Sequence, residues 1–421
     1  MSGDTDRGLE GEGLQYGFLL LLSTAYLAVY AGMQGFLALM PLIQEEFLLT
    51  RSQAGFYMTF YSLTATVTAV LTGNIVDSIG SKRGIVGGTI SVGAMLVLHA
   101  LAPAFFVLLG LALITGLVFS IITPSLNKAV MVRVREKRRA TSMGIMQSGG
   151  GVGGFMGASL LPLLAGSVGW RYSILLSGLF AILMGSVIYI FYRERRGRNQ
   201  KSGESRIDEG KGDTEESGDM KDRISLLLKN RYLLGLCALG FAFNTTVSAV
   251  LAHYTLYLTR DLQAGNFLAG LSLGILHIGG IAGRPLWGMV SDRLMAGDRR
   301  RALMLVAIVL AGLNLLFGLL ISSLSFSLPL MALASFVLGA AALGWNGLFF
   351  TNVAETVSAK MAGIGTGFAL LFTRTGGVIS PPIFGYIADL HDSYVFSWLA
   401  AGAVMLIFTC IFLVVSRKEM R

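Results

Sequence analysis

Long apolar runs separated by short polar breaks dominate the chain from residue 16 to residue 415. A helix crossing ~30 Å of hydrocarbon needs about 20 mostly apolar residues. Twelve segments meet that length: 16–40, 53–77, 84–103, 104–128, 141–166, 170–192, 231–258, 267–291, 301–321, 327–351, 362–388 and 394–415. The third and fourth spans meet at Ala102–Pro103, where the proline supplies a tight turn. Residues 193–229 form the single long interruption, rich in Lys, Arg, Glu, Asp, Ser and Gly, with scarcely an apolar residue before Ile224. Too little of that segment can be buried to fold, so it reads as a charged linker dividing the spans six and six. The predicted organisation is a tail over 1–15, a bundle over 16–192, the linker over 193–229, a second bundle over 230–415 and a tail over 416–421.

Composition agrees with this picture. Of the 421 residues 54% are hydrophobic and 14% charged, whereas soluble domains carry about 25% charged residues. An ordinary soluble enzyme is excluded. The formal charge of +9 does not point to nucleic acid, because the basic residues lie in short loops between spans. Placing both termini in the cytoplasm puts all but six of the Lys and Arg residues on the inner side, as the positive-inside rule requires. The exceptions are Arg51, Arg171 and Arg260 outside, and Lys128, Arg284 and Arg374 within spans. The acidic start, with Asp4, Asp6, Glu10 and Glu12 against Arg7, is unlike a cleaved signal peptide, and a multi-pass plasma (inner) membrane protein is expected. Cys237 and Cys410 lie inside apolar runs and are expected to be buried free thiols, without a disulfide or a cysteine zinc site.

The six-and-six division invites a search for an internal repeat. Gly73 to Asp77, ending span 2, and Gly288 to Asp292, ending span 8, share a Gly-x-x-x-Asp spacing, each followed by a basic loop. Gly153–Gly154 in span 5 correspond to Gly376–Gly377 in span 11, and Ala165 to Ala388 at the same offset. A lone glycine and aspartate before basic residues is a common way to leave a membrane, but two copies at equivalent places favour two homologous halves.

On these residues the chain resembles the major facilitator superfamily over essentially all of 16–415. The segment Gly73-Asn-Ile-Val-Asp77-Ser-Ile-Gly80-Ser-Lys82-Arg83 is similar to the family signature between spans 2 and 3, with Ser78 and Ser81 where arginines usually stand; the second copy retains Asp292-Arg293. The resemblance implies an all-α integral membrane fold of twelve transmembrane helices in two pseudo-symmetric six-helix bundles, working by alternating access, with Gly73, Asp77, Gly80, Lys82, Arg83, Gly288, Asp292 and Arg293 in loops that stabilise one face of the cycle. In physical terms the glycines permit close helix approach, and Lys82 and Arg83 anchor the loop inside. The span-4 arginine and span-5 proline of proton-coupled drug exporters are absent; Ala112, Thr115, Gly116 and Ala158 stand there.

An ionisable residue deep in a span usually faces a cavity or a partner. Arg374 lies midway along span 11 with no carboxylate expected at its depth, and Arg284 occupies Gly283-Arg284-Pro285 in span 8, where the resemblance is to oxalate/formate antiporters and monocarboxylate transporters. Guanidiniums bind carboxylates bidentately, so the pair predicts a clamp for a small organic anion. Arg284 has the competing reading of snorkelling or capping carbonyls near Pro285, and Lys128 that of an interfacial anchor. His277, two helical turns from Arg284 and on one face with it, is either a proton-coupling group or a neutral histidine bonded within the bundle. Tyr30, Gln34, Tyr61, Gln147 and Asn244, with Tyr26 and Tyr57, complete the expected cavity polar groups. The resulting expectation is a secondary transporter, not an enzyme, moving a small monocarboxylate or dicarboxylate by antiport or proton symport. It is expected to act as a monomer, with no cofactor, metal or nucleic-acid partner. The alternatives are an exporter of amphipathic compounds or drugs and, more distantly, a non-transporting solute sensor on the same scaffold.

Overall fold

The computed structural model describes residues 3–134, 139–192, 220–319, 327–357 and 361–418. Continuous backbone hydrogen bonding is the only way an isolated segment can satisfy its amides in lipid, and among the described residues every regular element is a helix. In chain order these are α1 (Gly3–Ala38), α2 (Met40–Glu46), α3 (Arg51–Ile79), α4 (Ser81–Ala100), α5 (Phe105–Arg133), α6 (Arg139–Phe191), α7 (Met220–Lys229), α8 (Arg231–Arg260), α9 (Asn266–Met289), α10 (Arg299–Leu319), α11 (Leu328–Gly344), α12 (Asn346–Thr356), α13 (Ala362–His391) and α14 (Val395–Lys418). The helix α6 comprises two spans, broken at Gly169, whose φ of 81° lies in the left-handed region open to glycine. Gly80, at φ 85°, turns α3 into α4 in the same way.

Helix ends follow local chemistry. Thr50 and Gln53 form a reciprocal capping box at the start of α3, and Asn230 caps α8 through Leu233 N–H at 2.9 Å. The expected turn at Ala102–Pro103 joins α4 to α5. The predicted tenth span is two helices, α11 and α12, with Trp345 at the junction stacked on Phe243 at 4.7 Å. Helix α1 begins at Gly3, its membrane-capable part at Gly17, and α9 continues through one π turn over Val290–Leu294. Cys237 is buried, but Cys410 is exposed on the outside of its helix. That corrects the expectation of two buried thiols, because a lipid-facing apolar stripe and a core stripe read alike in sequence.

The two halves repeat their packing. In the first, α1 packs on the first span of α6, α3 on α5, and α4 on the second span of α6. In the second, α8 packs on α13, α9 on α11, and α10 on α14. Glycine makes the closest approach: Gly149, Gly153 and Gly157, four residues apart on α6, lie against the backbone of Ser23, Leu27 and Ala31 on α1, the small-residue packing that stands in for hydrophobic attraction in a bilayer.

Across the halves, α6 meets α9 and α3 meets α13. The ends of the spans can be named by the linker side, where residues 193–219 connect the halves, and the distal side. At the distal side the halves are tied. Arg51 and Ser52 N–H donate to Asp389 Oδ1 and Oδ2, each at 2.8 Å, and Arg51 Nη1 pairs with Asp392 at 2.8 Å. Ser52 and Thr59 hydroxyls donate to the Pro382 and Val378 carbonyls, and Thr255 donates to Leu37 O at 3.2 Å. Asp261, at the end of α8, accepts from Tyr394 N–H and Ser393 Oγ; burial raises its carboxyl above the usual value against the opposing pull of those bonds.

Candidate functional site

A cavity of about 320 Å³ lies between the two halves, lined by α1, α3, α5, α6, α8, α9, α11 and α12. Its walls follow from helical spacing. On α1, Tyr26, Tyr30 and Gln34 recur every four residues and so share one face. The Tyr26 and Tyr30 rings stack at 5.5 Å, over the space left by the missing side chain of Gly150. Tyr30 and Tyr61 each meet Phe119 edge-on, at 5.5 and 5.7 Å, which builds a continuous aromatic wall. Tyr26 OH donates to Thr123 Oγ1 at 2.9 Å.

The cations enter from the other half. Arg284 and His277, both on α9, line the cavity. Arg284 is exposed, with no hydrogen bond or ion pair among the described residues, and Gln147 beside the cavity is also exposed. These two residues mark the opening toward the linker side. Arg374, half-buried on α13, donates from Nη1 to the Ala65 carbonyl of α3 at 2.8 Å. The hydroxyl of Tyr30 lies within electrostatic reach of both guanidiniums, but Arg374 and its helix α13 are not among the residues that line this cavity. Among the described residues neither pairs with a carboxylate, and the salt bridges sit at helix ends.

Other expected residues are placed differently. Asn244 does not line this cavity; its Nδ2 donates to the Thr373 carbonyl at 2.9 Å, holding α8 to α13 because a polar side chain in lipid takes the nearest free acceptor. Lys128 Nζ donates to Val76 O at 3.2 Å, an orientation toward the linker-side end of α3. Tyr57, by contrast, does line the cavity; its side chain is almost wholly covered, and its hydroxyl meets His99 Nε2 at 3.0 Å. His99 Nδ1 donates to Met95 O at 2.7 Å, so the carbonyl fixes the tautomer and Nε2 accepts from Tyr57. His99 was not anticipated; its signal in the sequence is a histidine inside the apolar run of the third span.

Of the signature loops, Gly73 and the Asp77 side chain lie outside the described residues. Gly80 makes the turn, Lys82 Nζ sits 4.8 Å over the Tyr189 ring, and Arg83 is exposed. In the second copy Gly288 faces open space, where a side chain would touch nothing, so close helix approach does not explain it. Asp292 lies 3.7 Å from Arg299 Nη1; Arg299 Nε reaches both oxygens of Glu355 at 2.8 Å, joining the end of α9 to α10 and α12. Arg293 is exposed. Glu355 carried no sequence signal, because its partner is 56 residues away.

This two-bundle fold around a central cavity is that of a membrane transporter, and comparison with known proteins agrees. The profile of the Major Facilitator Superfamily matches residues 22–381 and 255–421, and the chain belongs to that family of transporters. It is 22% identical to a probable sulfoacetate transporter of Cupriavidus necator, over 87% of this chain and 85% of that one. It is likewise 22% identical to a hexuronate transporter of Bacillus subtilis, over 86% of each. Among solved structures, a bacterial homologue of the human lysosomal transporter Spinster, inward-facing and unoccupied, superposes with a TM-score of 0.77 at 18% identity, over 96% of this chain and 97% of that one.

Proposed function

We propose that this protein is a secondary transporter of small organic anions, with Arg284 and Arg374 clamping the carboxylate. The observation that carries the reading is the Arg284 guanidinium lining the cavity, with Arg374 of α13 bonded across the halves to the Ala65 carbonyl and no protein carboxylate paired with either among the described residues. A guanidinium with no carboxylate partner at the mouth of a polar cavity attracts an anionic ligand, which it binds through two parallel hydrogen bonds. The closed distal side and the opening beside Gln147 and Arg284 describe one end of an alternating-access cycle. Bound anion favours occlusion because it neutralises the clamp, so transport follows from differential binding to the two states. Sulfoacetate and hexuronate, for which two similar transporters are named, are both organic anions, which supports the class.

In this reading the protein works as a monomer in the plasma membrane with both termini cytoplasmic, by anion exchange or proton symport, with His277 the candidate coupling group. The signature loops brace the linker side. Counterflow of labelled oxalate, lactate and glucuronate into proteoliposomes tests it. Saturable uptake driven by preloaded anion is expected. Arg374→Gln removes one member of a desolvated charge pair, costing about 2–5 kcal/mol, and should abolish measurable flux. Flux indifferent to both Arg374→Gln and Arg284→Gln from folded protein refutes the clamp and favours export of larger organic compounds.

A further inference from the structure

The clamp accounts for only one end of the cavity. On α9, His277 precedes Arg284 by seven residues, roughly 10 Å along the axis, toward the closed distal side. On α1, Gln34 lies one turn beyond Tyr30 in the same direction. Both line the cavity, and both are more than nine-tenths buried, at 8% and 6% exposure for Gln34 and His277. Gln34 Oε1 and His277 Nε2 nevertheless have no hydrogen-bond partner in the protein. His277 has little room to withdraw, because its ring lies against Gly154, where an added Cβ would sit 2.8 Å from Cγ. Each such buried, unmet group carries the full cost of its desolvation, and native interiors keep few of them without a use.

Building on the clamp reading, we infer that the cavity is bipolar and selects a hydroxylated carboxylate. The carboxylate takes the arginine end; a hydroxyl several carbons away takes the distal end. A hydroxyl both donates and accepts, so a single one can donate to Gln34 Oε1 and accept from His277 Nε2–H. The stacked Tyr26 and Tyr30 rings flank the carbon chain between them. An alkyl acid of equal length leaves both distal groups unmet, and a neutral polyol leaves the clamp unmet. Sites built to bond a hydroxyl reject the analogue lacking it far more strongly than apolar pockets reject a changed methylene.

The test uses the full-length protein in nanodiscs and three six-carbon probes: D-gluconate, hexanoate and sorbitol, measured as direct binding of labelled gluconate and competition by the other two. Gluconate is expected to bind at least about tenfold more tightly than either competitor. Arg374→Gln should weaken gluconate and hexanoate together. Gln34→Leu and His277→Leu should each lower the gluconate-over-hexanoate preference while hexanoate binding is retained, a result that misfolding does not produce. Hexanoate equal to gluconate, with both dependent on Arg374, overturns the bipolar site and leaves the clamp standing. Sorbitol equal to gluconate, or gluconate binding indifferent to Arg374, overturns the clamp and this inference with it, as does the absence of gluconate binding. A gluconate preference that survives both leucine variants removes Gln34 and His277 from the site.

Discussion

Removing the Asp389 side chain is expected to release the distal closure. Its two oxygens accept the first backbone N–H groups of α3 at 2.8 Å each, across the boundary between the halves and at the positive end of a 29-residue helix. Hydrogen bonds to a charged group contribute about 1.5–3 kcal/mol each, and a carboxylate at a helix N-terminus adds about 0.3–1 kcal/mol. Asp389 is half-buried, and both partners regain water when the halves part, so ~2–3 kcal/mol is the retained difference after screening. At 1.4 kcal/mol per factor of ten, Asp389→Ala shifts the closed-to-open equilibrium by roughly 30- to 150-fold. Asp389→Asn, which keeps one acceptor, should fall between. Spin labels at Leu48 and Leu328, both exposed, in a background lacking Cys237 and Cys410, report the distal distance by pulsed electron resonance. A new longer population is expected. The control is Asp392→Ala, whose carboxylate is 95% exposed in its pair with Arg51; such a pair contributes about 0–1 kcal/mol and its loss should leave the distribution nearly unchanged. Identical distributions for wild type and Asp389→Ala refute the assignment of Asp389 as a distal tie.

Gly157→Ala places a methyl group against the Ala31 backbone, which cannot yield as a side chain can, and should cost about 1–3 kcal/mol by overpacking. Gly166→Ala, with open space around it, serves as its control in melting experiments; equal melting temperatures would contradict the packing argument. Tyr57→Phe leaves His99 Nε2 without its donor and should lower stability by about 1–3 kcal/mol, read as a reduced melting temperature. Because burial raises the Asp261 carboxyl, the folded protein holds that proton more tightly than the unfolded chain. Its stabilising contribution is full below the unfolded value and is lost as pH rises through the folded one. Asp261→Asn, a mimic of the protonated group, should flatten that decline, and an unaltered melting profile against pH would rule the linkage out. Glu355→Gln breaks a pair that is 54% exposed on the carboxylate side and should change stability by less than about 1 kcal/mol.

The helices were legible because lipid demands long, nearly uninterrupted apolar runs, and the two-fold repeat because Gly-x-x-x-Asp and Gly-Gly recur at matching places. The aromatic and amide face of α1 was legible for the same kind of reason: positions 26, 30 and 34 are set by helical periodicity alone. Contacts between distant segments were not. Nothing local to Asp389 announces that its acceptors meet the start of α3, 338 residues earlier in the chain. Asn244 illustrates the converse limit, since its position on a span is readable but its choice between a ligand and the Thr373 carbonyl depends on how closely α13 approaches. Trp345 shows a third: residues 327–351 read as one span by hydropathy, and the break between α11 and α12 has no proline or charge to announce it.

The bond from Arg374 to the Ala65 carbonyl has a consequence for how the empty carrier behaves. Ala65 belongs to one half and Arg374 to the other, so under the proposed clamp the protein supplies its own neutral stand-in for a carboxylate oxygen. On that proposal an arriving anion competes with an intramolecular occupant, and the affinity it shows is a difference between two Arg374 contacts. Neutral oxygen cannot cancel the guanidinium's charge, so the stand-in is weaker than any anion. It still spares the arginine from facing the membrane interior with no acceptor during the unloaded return. If the clamp holds, the ratio of exchange to net flux depends partly on how well a backbone carbonyl imitates the cargo, and strengthening or weakening that one contact would move the carrier along the line from obligate exchanger to uniporter.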